Sequence, residues 1–214
     1  MGHGNQHGQN QHGQNQPLAC HHALELLEAP AITPITLSEV KPQLRVDHDD
    51  DDALLDRLTN VAVAFTDVQG ALGQAMISQK WAQWLDSNTT GTVKLILGPF
   101  QVLNAVRYYD LSGTLQDDDV NNYEIFGTAT YTTIQPKDGE SWPETQERQD
   151  AIKIEYTIGY GDAVDDVPQT IRHALMLIVG HWYDNREQSG MDELSNIPFG
   201  FESLMNMHRN AWYG

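Results

Sequence analysis

The hydrophobic period of this chain changes twice, and that constrains its fold more than any other feature. Leu54, Leu58, Val61, Phe65 and Val68 recur at steps of four and three. That spacing predicts a helix of about five turns with these side chains as its buried stripe. From Met76 to Tyr160 the pattern alternates instead: Ile77, Trp81 and Leu85 share one face, and further strands are expected over 92–100, 104–110, 122–126, 128–134 and 151–160. Gly-, Asp- and Asn-rich turns separate them, and no helical crossover intervenes, so the sheet should be antiparallel. Helical spacing returns over 165–188, where Ile171, Leu175, Ile178 and Trp182 form a stripe. The expected class is α+β, a helical body with an inserted antiparallel β-sheet or small sandwich. The segments are then an extension (1–34), the first part of the body (35–75), the β insertion (76–161), the second part of the body (162–190) and a tail (191–214).

The helix starts carry readable signals. Thr36 and Glu39 fit a capping box, and Ile35 and Val40 occupy the two positions of a hydrophobic staple. Pro42 should limit that helix to about two turns. "ALELLEA" (23–29) reads as a short helix stopped by Pro30. "VDHDDDDALLDRL" (46–58) crowds Asp47, Asp49, Asp50, Asp51 and Asp52 around His48. These carboxylates precede the 54–68 stripe, where they suit the positive end of a helix dipole, with Asp49 and Asp50 as capping candidates. An EF-hand reading fails because position six is Asp52 rather than Gly and position twelve is Leu58 rather than Glu. Asp166 is the expected cap of the last long helix, with Pro168 in its first turn.

Charge narrows the partners. The chain carries 30 Asp+Glu against 12 Lys+Arg, a formal charge of −18. Gripping DNA requires Lys and Arg to neutralise phosphates, so an acidic chain is better suited to lying beside DNA and repelling it. One cysteine, Cys20, rules out an intrachain disulfide framework. No apolar run is long enough to cross a bilayer, and the N-terminus lacks the charged-then-apolar pattern of a signal peptide. A soluble product of a cytoplasm is expected.

No catalytic constellation can be drawn. Residues 1–16 are a His-Gly-Gln-Asn-Gln repeat with no apolar side chain after Met1, read as a polar extension that binds metal at most incidentally. Cys20 beside His21 and His22 lacks a matching second cluster. His173 and His181 lie eight apart, not at the three- or four-residue spacing of helical metal ligands. "GYGD" (159–162) has the wrong charge for holding phosphate. Catalytic residues, metal ligands and cofactors are therefore all expected to be absent. Two other functions compete: a metal-dependent hydrolase built on the Asp47–Asp52 carboxylates, and a carbohydrate-binding β module stacking sugars on Trp81, Trp84 and Trp142. Trp142 itself falls in a long polar loop (135–150), where an exposed side chain is expected.

The C-terminus carries Phe199, Phe201, Leu204, Met205, Met207 and Trp212 after a polar break. An apolar segment detached from its own core needs another surface, and aromatics and Met are enriched in interface cores. Phe199, Gly200, Phe201, Leu204 and Met205 are the candidate docking residues, with Gly200 allowing close approach. The competing reading is a short helix folded back over the sheet of its own subunit.

"ITLSEVKPQLRVDHDDDDALLDRL", "YTIGYGD", "DVPQTIRHALMLIVGHWYDNRE" and "IPFGFESLM", in that order, resemble the head–tail connector (adaptor) proteins of long-tailed bacteriophages and related prophage elements. The resemblance covers roughly residues 35–205 and leaves the first 34 without a counterpart. It implies a structural virion protein of the head–tail neck: a homo-oligomeric ring, usually twelvefold, beneath the portal. Such a ring extends the DNA channel, lets DNA pass without specific binding, and offers a docking surface to a neck, stopper or tail-completion protein. No membrane is involved.

Overall fold

Ile35 and Val40, the two staple positions, are both buried, and the Glu39 carboxylate accepts the Thr36 backbone N–H at 2.9 Å. Those contacts start α1 (Leu37–Leu44), which ends two residues past Pro42 with Arg45 in the left-handed region at φ 58°. The computed structural model describes residues 23–128, 131–185 and 198–208. Its elements are β1 (Leu24–Glu28), α1, α2 (Asp52–Thr66), β2 (Gln79–Leu85), β3 (Val93–Leu95), β4 (Phe100–Tyr109), β5 (Leu115–Asp118), β6 (Tyr123–Thr128), β7 (Tyr131–Pro136), β8 (Ile152–Ile158), α3 (Gln169–Asp184) and α4 (Phe199–Asn206). The fold is α+β.

The strands form two antiparallel sheets, one ordered β1-β2-β8-β4-β5 and one ordered β3-β7-β6. Their inward side chains make one core, including Trp81, Leu85, Val106, Ile152, Ile154 and Tyr156 from the larger sheet and Leu95, Tyr123 and Ile134 from the smaller. A second core lies among the helices, where Ile35, Val40, Leu55 and Ala62 meet Ile171, Leu175, Ile178, Phe201 and Met205. Gln83, fully buried, joins the sheets: its amide donates to the Lys94 carbonyl at 2.9 Å, and its Oε1 accepts from the Ile96 N–H at 3.0 Å and the Tyr156 hydroxyl at 3.2 Å. These bonds satisfy polar groups that would be costly to bury unpaired. They also interrupt the apolar run 92–100, which was expected to be one strand. Ile96 spends its N–H on a side chain, so the run divides into β3 and the start of β4.

Other expectations need correction. Residues 24–28 form an edge strand rather than a helix, because they pair with β2 from Leu24↔Gln83 to Glu28↔Lys80. In α2 the buried positions are Leu55, Thr59, Ala62 and Thr66, one residue further along than the apolar stripe, while Val61 is 54% exposed. Two threonines take places that a hydrophobic count assigns to their apolar neighbours. The turn-like run before residue 122 contains β5, held by Arg107↔Asp117 pairing with β4.

Candidate docking site

α4 is the element on which the docking expectation turns. Proline at its N-cap position fits a helix start, since the ring presets φ and no N–H is lost there. From that start the helix turns one face inward and the other outward. Phe201 and Met205, four apart, are buried in the helical core of their own subunit, and Leu204 packs against it. The Phe201 ring lies 6.0 Å from Phe65, which meets Trp182 edge-on at 6.1 Å. The segment thus folds back over helices, not over the sheet. That overturns the expectation that Phe201 and Met205 leave their subunit: their area is already covered. Phe199 is different, at 85% exposed, and Met207 at the other end is 70% exposed. Gly200 faces Leu177 with room for a methyl group at ordinary contact, so no close approach demands glycine there. Ile197 and Trp212 lie outside the described residues.

The far end of α4 is tied down by polar contacts. Gln74, fully buried in the α2–β2 connection, donates to the His208 carbonyl at 2.6 Å and accepts from the Tyr160 hydroxyl at 3.0 Å. The His208 ring is hydrogen bonded to the Thr170 hydroxyl at 2.5 Å. One residue pair further into the same joint, Asp67 accepts from the Met76 N–H and the Gln79 amide, each at 3.0 Å. Burial pushes the Asp67 carboxyl above its ordinary range, against those hydrogen bonds. None of these polar residues falls in a sequence pattern. Gln74 and His208 are 134 positions apart, and only the fold brings them together.

The aspartate run is a set of ion pairs and turns. Asp49 and Asp52 share the Lys41 ammonium at 2.6 and 2.7 Å, and the Lys41 hydrogen bond holds the Asp49 carboxyl below its usual range. Asp51, not Asp49 or Asp50, occupies the N-cap of α2, and its side chain accepts from the Tyr183 hydroxyl instead of capping. The reason is register: α2 begins at Asp52, leaving Asp50 one residue and Asp49 two residues before the N-cap. Asp166 likewise does not cap α3, whose N-cap is Pro168; its carboxylate accepts the Ala163 N–H at 2.9 Å within a 3-10 turn. Glu39 also accepts from Arg172, which reaches Asp165 at 2.9 Å and so ties α1 to α3.

The outward face of the larger sheet gathers cations around one buried carboxylate. Glu155, whose side chain is 3% exposed, meets Arg107 at 2.6 Å, Lys80 at 2.9 Å and Lys153 at 3.7 Å. Arg107 also binds Asp117, and Lys153 binds Glu25. Trp84 stacks on Tyr109, whose ring carries the Arg148 guanidinium at 3.8 Å. The face is internally neutralised, which explains how four of the chain's few cations come to lie together.

The rival chemistries find little support. Among the described residues no group of three or more His, Cys, Asp or Glu is placed to hold a metal. His173 is exposed and His181 bonds to Asn185. Cys20, His21 and His22 lie outside the described residues. Trp142, expected to be exposed, is buried against Tyr123 and donates to the Gly91 carbonyl at 2.8 Å; Trp81 is buried too. Neither indole leaves a face open for a sugar.

What remains is a polar-jointed, helix-and-sheet subunit with apolar points on its surface, and the comparison with known families is decisive. The head completion protein family model matches residues 33–211. The chain belongs to the head completion protein family. As a head completion protein it is a structural protein, and the match spans both the helical and the β segments. Its fold is shared with a chain in the neck of an empty gene transfer agent particle computed with C6 symmetry, at TM-score 0.70 and 21% identity over 88% of this chain and 95% of that one. It is also shared with a chain of the native gene transfer agent virion, at TM-score 0.68 and 20% identity over 87% and 95%. A neck of the native particle with C12 symmetry gives TM-score 0.68 and 20% identity over 88% and 95%. No curated protein matches. Among the described residues of this head completion protein, no helix is long and apolar enough to cross a membrane.

Proposed function

We propose that this head completion protein is the adaptor of a virion neck, a ring of identical subunits between the portal vertex and the tail. The single observation that carries this reading is the family match across residues 33–211, combined with a fold that covers 95% of a chain from a gene transfer agent neck. In this reading the ring has twelve copies, as the C12 symmetry of one related neck suggests. Neighbours meet head-to-tail, so a single rotation closes the ring. The helical segments 35–75 and 162–190 form the ring's body and the β segment 76–161 projects from it. The net acidic surface repels passing DNA, which is not held. Partners are the portal, a stopper or tail-completion protein, and further copies of the chain.

The docking point offered to a partner is the α4 end bearing Phe199, with Gly200 and Leu204 behind it. Burying one exposed Phe contributes roughly 1.5–3 kcal/mol before ordering costs, and ring symmetry multiplies it by avidity. Electron microscopy of assembled necks tests the assembly: a closed ring of copies at the portal is expected. A single copy per vertex, or an open filament, overturns it.

A further inference from the structure

α2 carries two seams of side chains, and its own chain fully covers only one. Leu54, Leu58, Val61 and Phe65 follow the four-three spacing of a helix that packs along another element. The helical core receives the neighbouring seam instead, Leu55, Thr59, Ala62 and Thr66. There the Thr59 and Thr66 hydroxyls are buried with no hydrogen-bond partner among the described residues. Turning α2 by one residue would free both hydroxyls and bury Val61 and Phe65, which stand 54% and 38% exposed. The helix is thus set with an apolar stripe outward and two buried hydroxyls unsatisfied. From Leu58 to Thr66 it has no charged residue, in a chain of formal charge −18. Arg57 borders the stripe, and Asp56 falls on the opposite side of the helix.

A second uncovered face lies on the smaller sheet. Ile125 and Ile134 point into the sheet core, so Phe126 and Tyr131 point the other way, at 47% and 43% exposed. Lys94 lies on the same outward face, paired with Thr133, and its ammonium sits 5.4 Å from the centre of the Tyr131 ring. We propose that this sheet face of one copy seats on the α2 stripe of the next, with Phe126 against Val61 and Phe65. The proposal rests on the ring reading above and names the two faces that close the ring. An apolar helix stripe and an apolar sheet face pack on each other as layers. The charged residues of the two faces are two bases, Arg57 and Lys94, against one acid, Glu124. Copies of an acidic chain therefore meet here without the repulsion that the rest of the surface imposes. Two different patches on one chain also make a heterologous contact, which one rotation repeats around a ring.

Cysteine cross-linking in assembled particles tests it. Cys20→Ser removes the only native thiol, and Ala64→Cys and Thr133→Cys then place one thiol on each face. Particles built with the double variant are treated with a short flexible bis-maleimide, and their necks are imaged from the same preparation. The expected result is a closed ring and a ladder of covalent multimers, with no ladder from either single variant. A closed ring without a ladder overturns the paired faces and leaves the ring reading standing. Necks without a ring overturn both. Covalent dimers from Ala64→Cys alone mean that α2 meets α2 of another copy, which overturns the proposal as well. Val61→Asp, at an exposed position of the free chain, should melt with the parent and yet be excluded from necks; incorporation equal to the parent's overturns the proposal.

Discussion

Gln74 and His208 are joined by a 2.6 Å hydrogen bond from a fully buried amide to a backbone carbonyl at the end of α4. The same amide accepts from Tyr160, two residues past β8, so one side chain fastens the last helix to the joint between helices and sheets. Gln74→Leu keeps the bulk and removes both hydrogen bonds, leaving the His208 carbonyl and the Tyr160 hydroxyl unpaired. Leaving buried polar groups unpaired costs about 1–3 kcal/mol, and a fall in denaturation midpoint of that size is expected. Thr170→Val, which loses only the ring contact of His208, should cost less.

Phe201 and Phe199 separate stability from assembly. Phe201→Ala opens a cavity in the helical core and should cost about 3–5 kcal/mol in chemical denaturation. Phe199→Ala, at an exposed site, should stay within about 0.5 kcal/mol of the parent while weakening attachment to portal-bearing heads. Binding and melting measured on both variants check the pair.

Asp67 gives the acid limb of stability an unusual sign. Burial raises its folded-state pKa above the ordinary 3.8. Between those two values the folded chain holds more protons than the unfolded one, so stability falls as pH rises through that window and levels off above it. Glu39 works in reverse. Its burial alone would raise it, but the Thr36 N–H and hydroxyl and the Arg172 guanidinium outweigh that and lower it. Its contribution is present above the ordinary 4.5 and lost as pH falls through the folded value. Urea midpoints across pH 3–6 should show Asp67→Asn losing acid stability relative to the parent, and Glu39→Gln flattening the acid decline.

Glu155 is the common partner of Lys80, Arg107 and Lys153. Removing one member of a buried ion pair typically costs about 3–5 kcal/mol, because the remaining charges lose their partner. Glu155→Gln should fall in that range by thermal or urea denaturation, and Asp117→Asn, whose own side chain is 80% exposed, well below it.

What the sequence revealed was local. The capping box, the staple, the β alternation and the return to helix all depend on neighbours within a few residues, and so does the Pro42 limit on α1. The errors arose where distant contacts decide. "LELLE" has helix-favouring residues, and only its pairing with β2, more than fifty residues on, makes it a strand. The α2 stripe slipped by one because Thr59 and Thr66 are buried despite their hydroxyls. The aspartates looked like caps because the run precedes a helix, but Lys41 and Tyr183 claim them. The tail's apolar residues could be recognised as needing cover, but nothing local says whose surface supplies it. Phe201 answers with its own chain, and Phe199, which stays exposed, does not.

The helical core draws on both ends of the polypeptide, Ile35 to Ala62 from one and Ile171 to Met205 from the other. During synthesis, then, α1 and α2 emerge with no counterpart to bury against, whereas the sheet residues 79–158 are complete well before the last helix is made. A ribosome that stalls, or a message cut short, releases a chain with a finished sheet and an open helical half. Such a fragment cannot form the Gln74–His208 fastening. A particle that admits only chains with a closed helical half therefore has a built-in way of excluding incomplete copies from its neck.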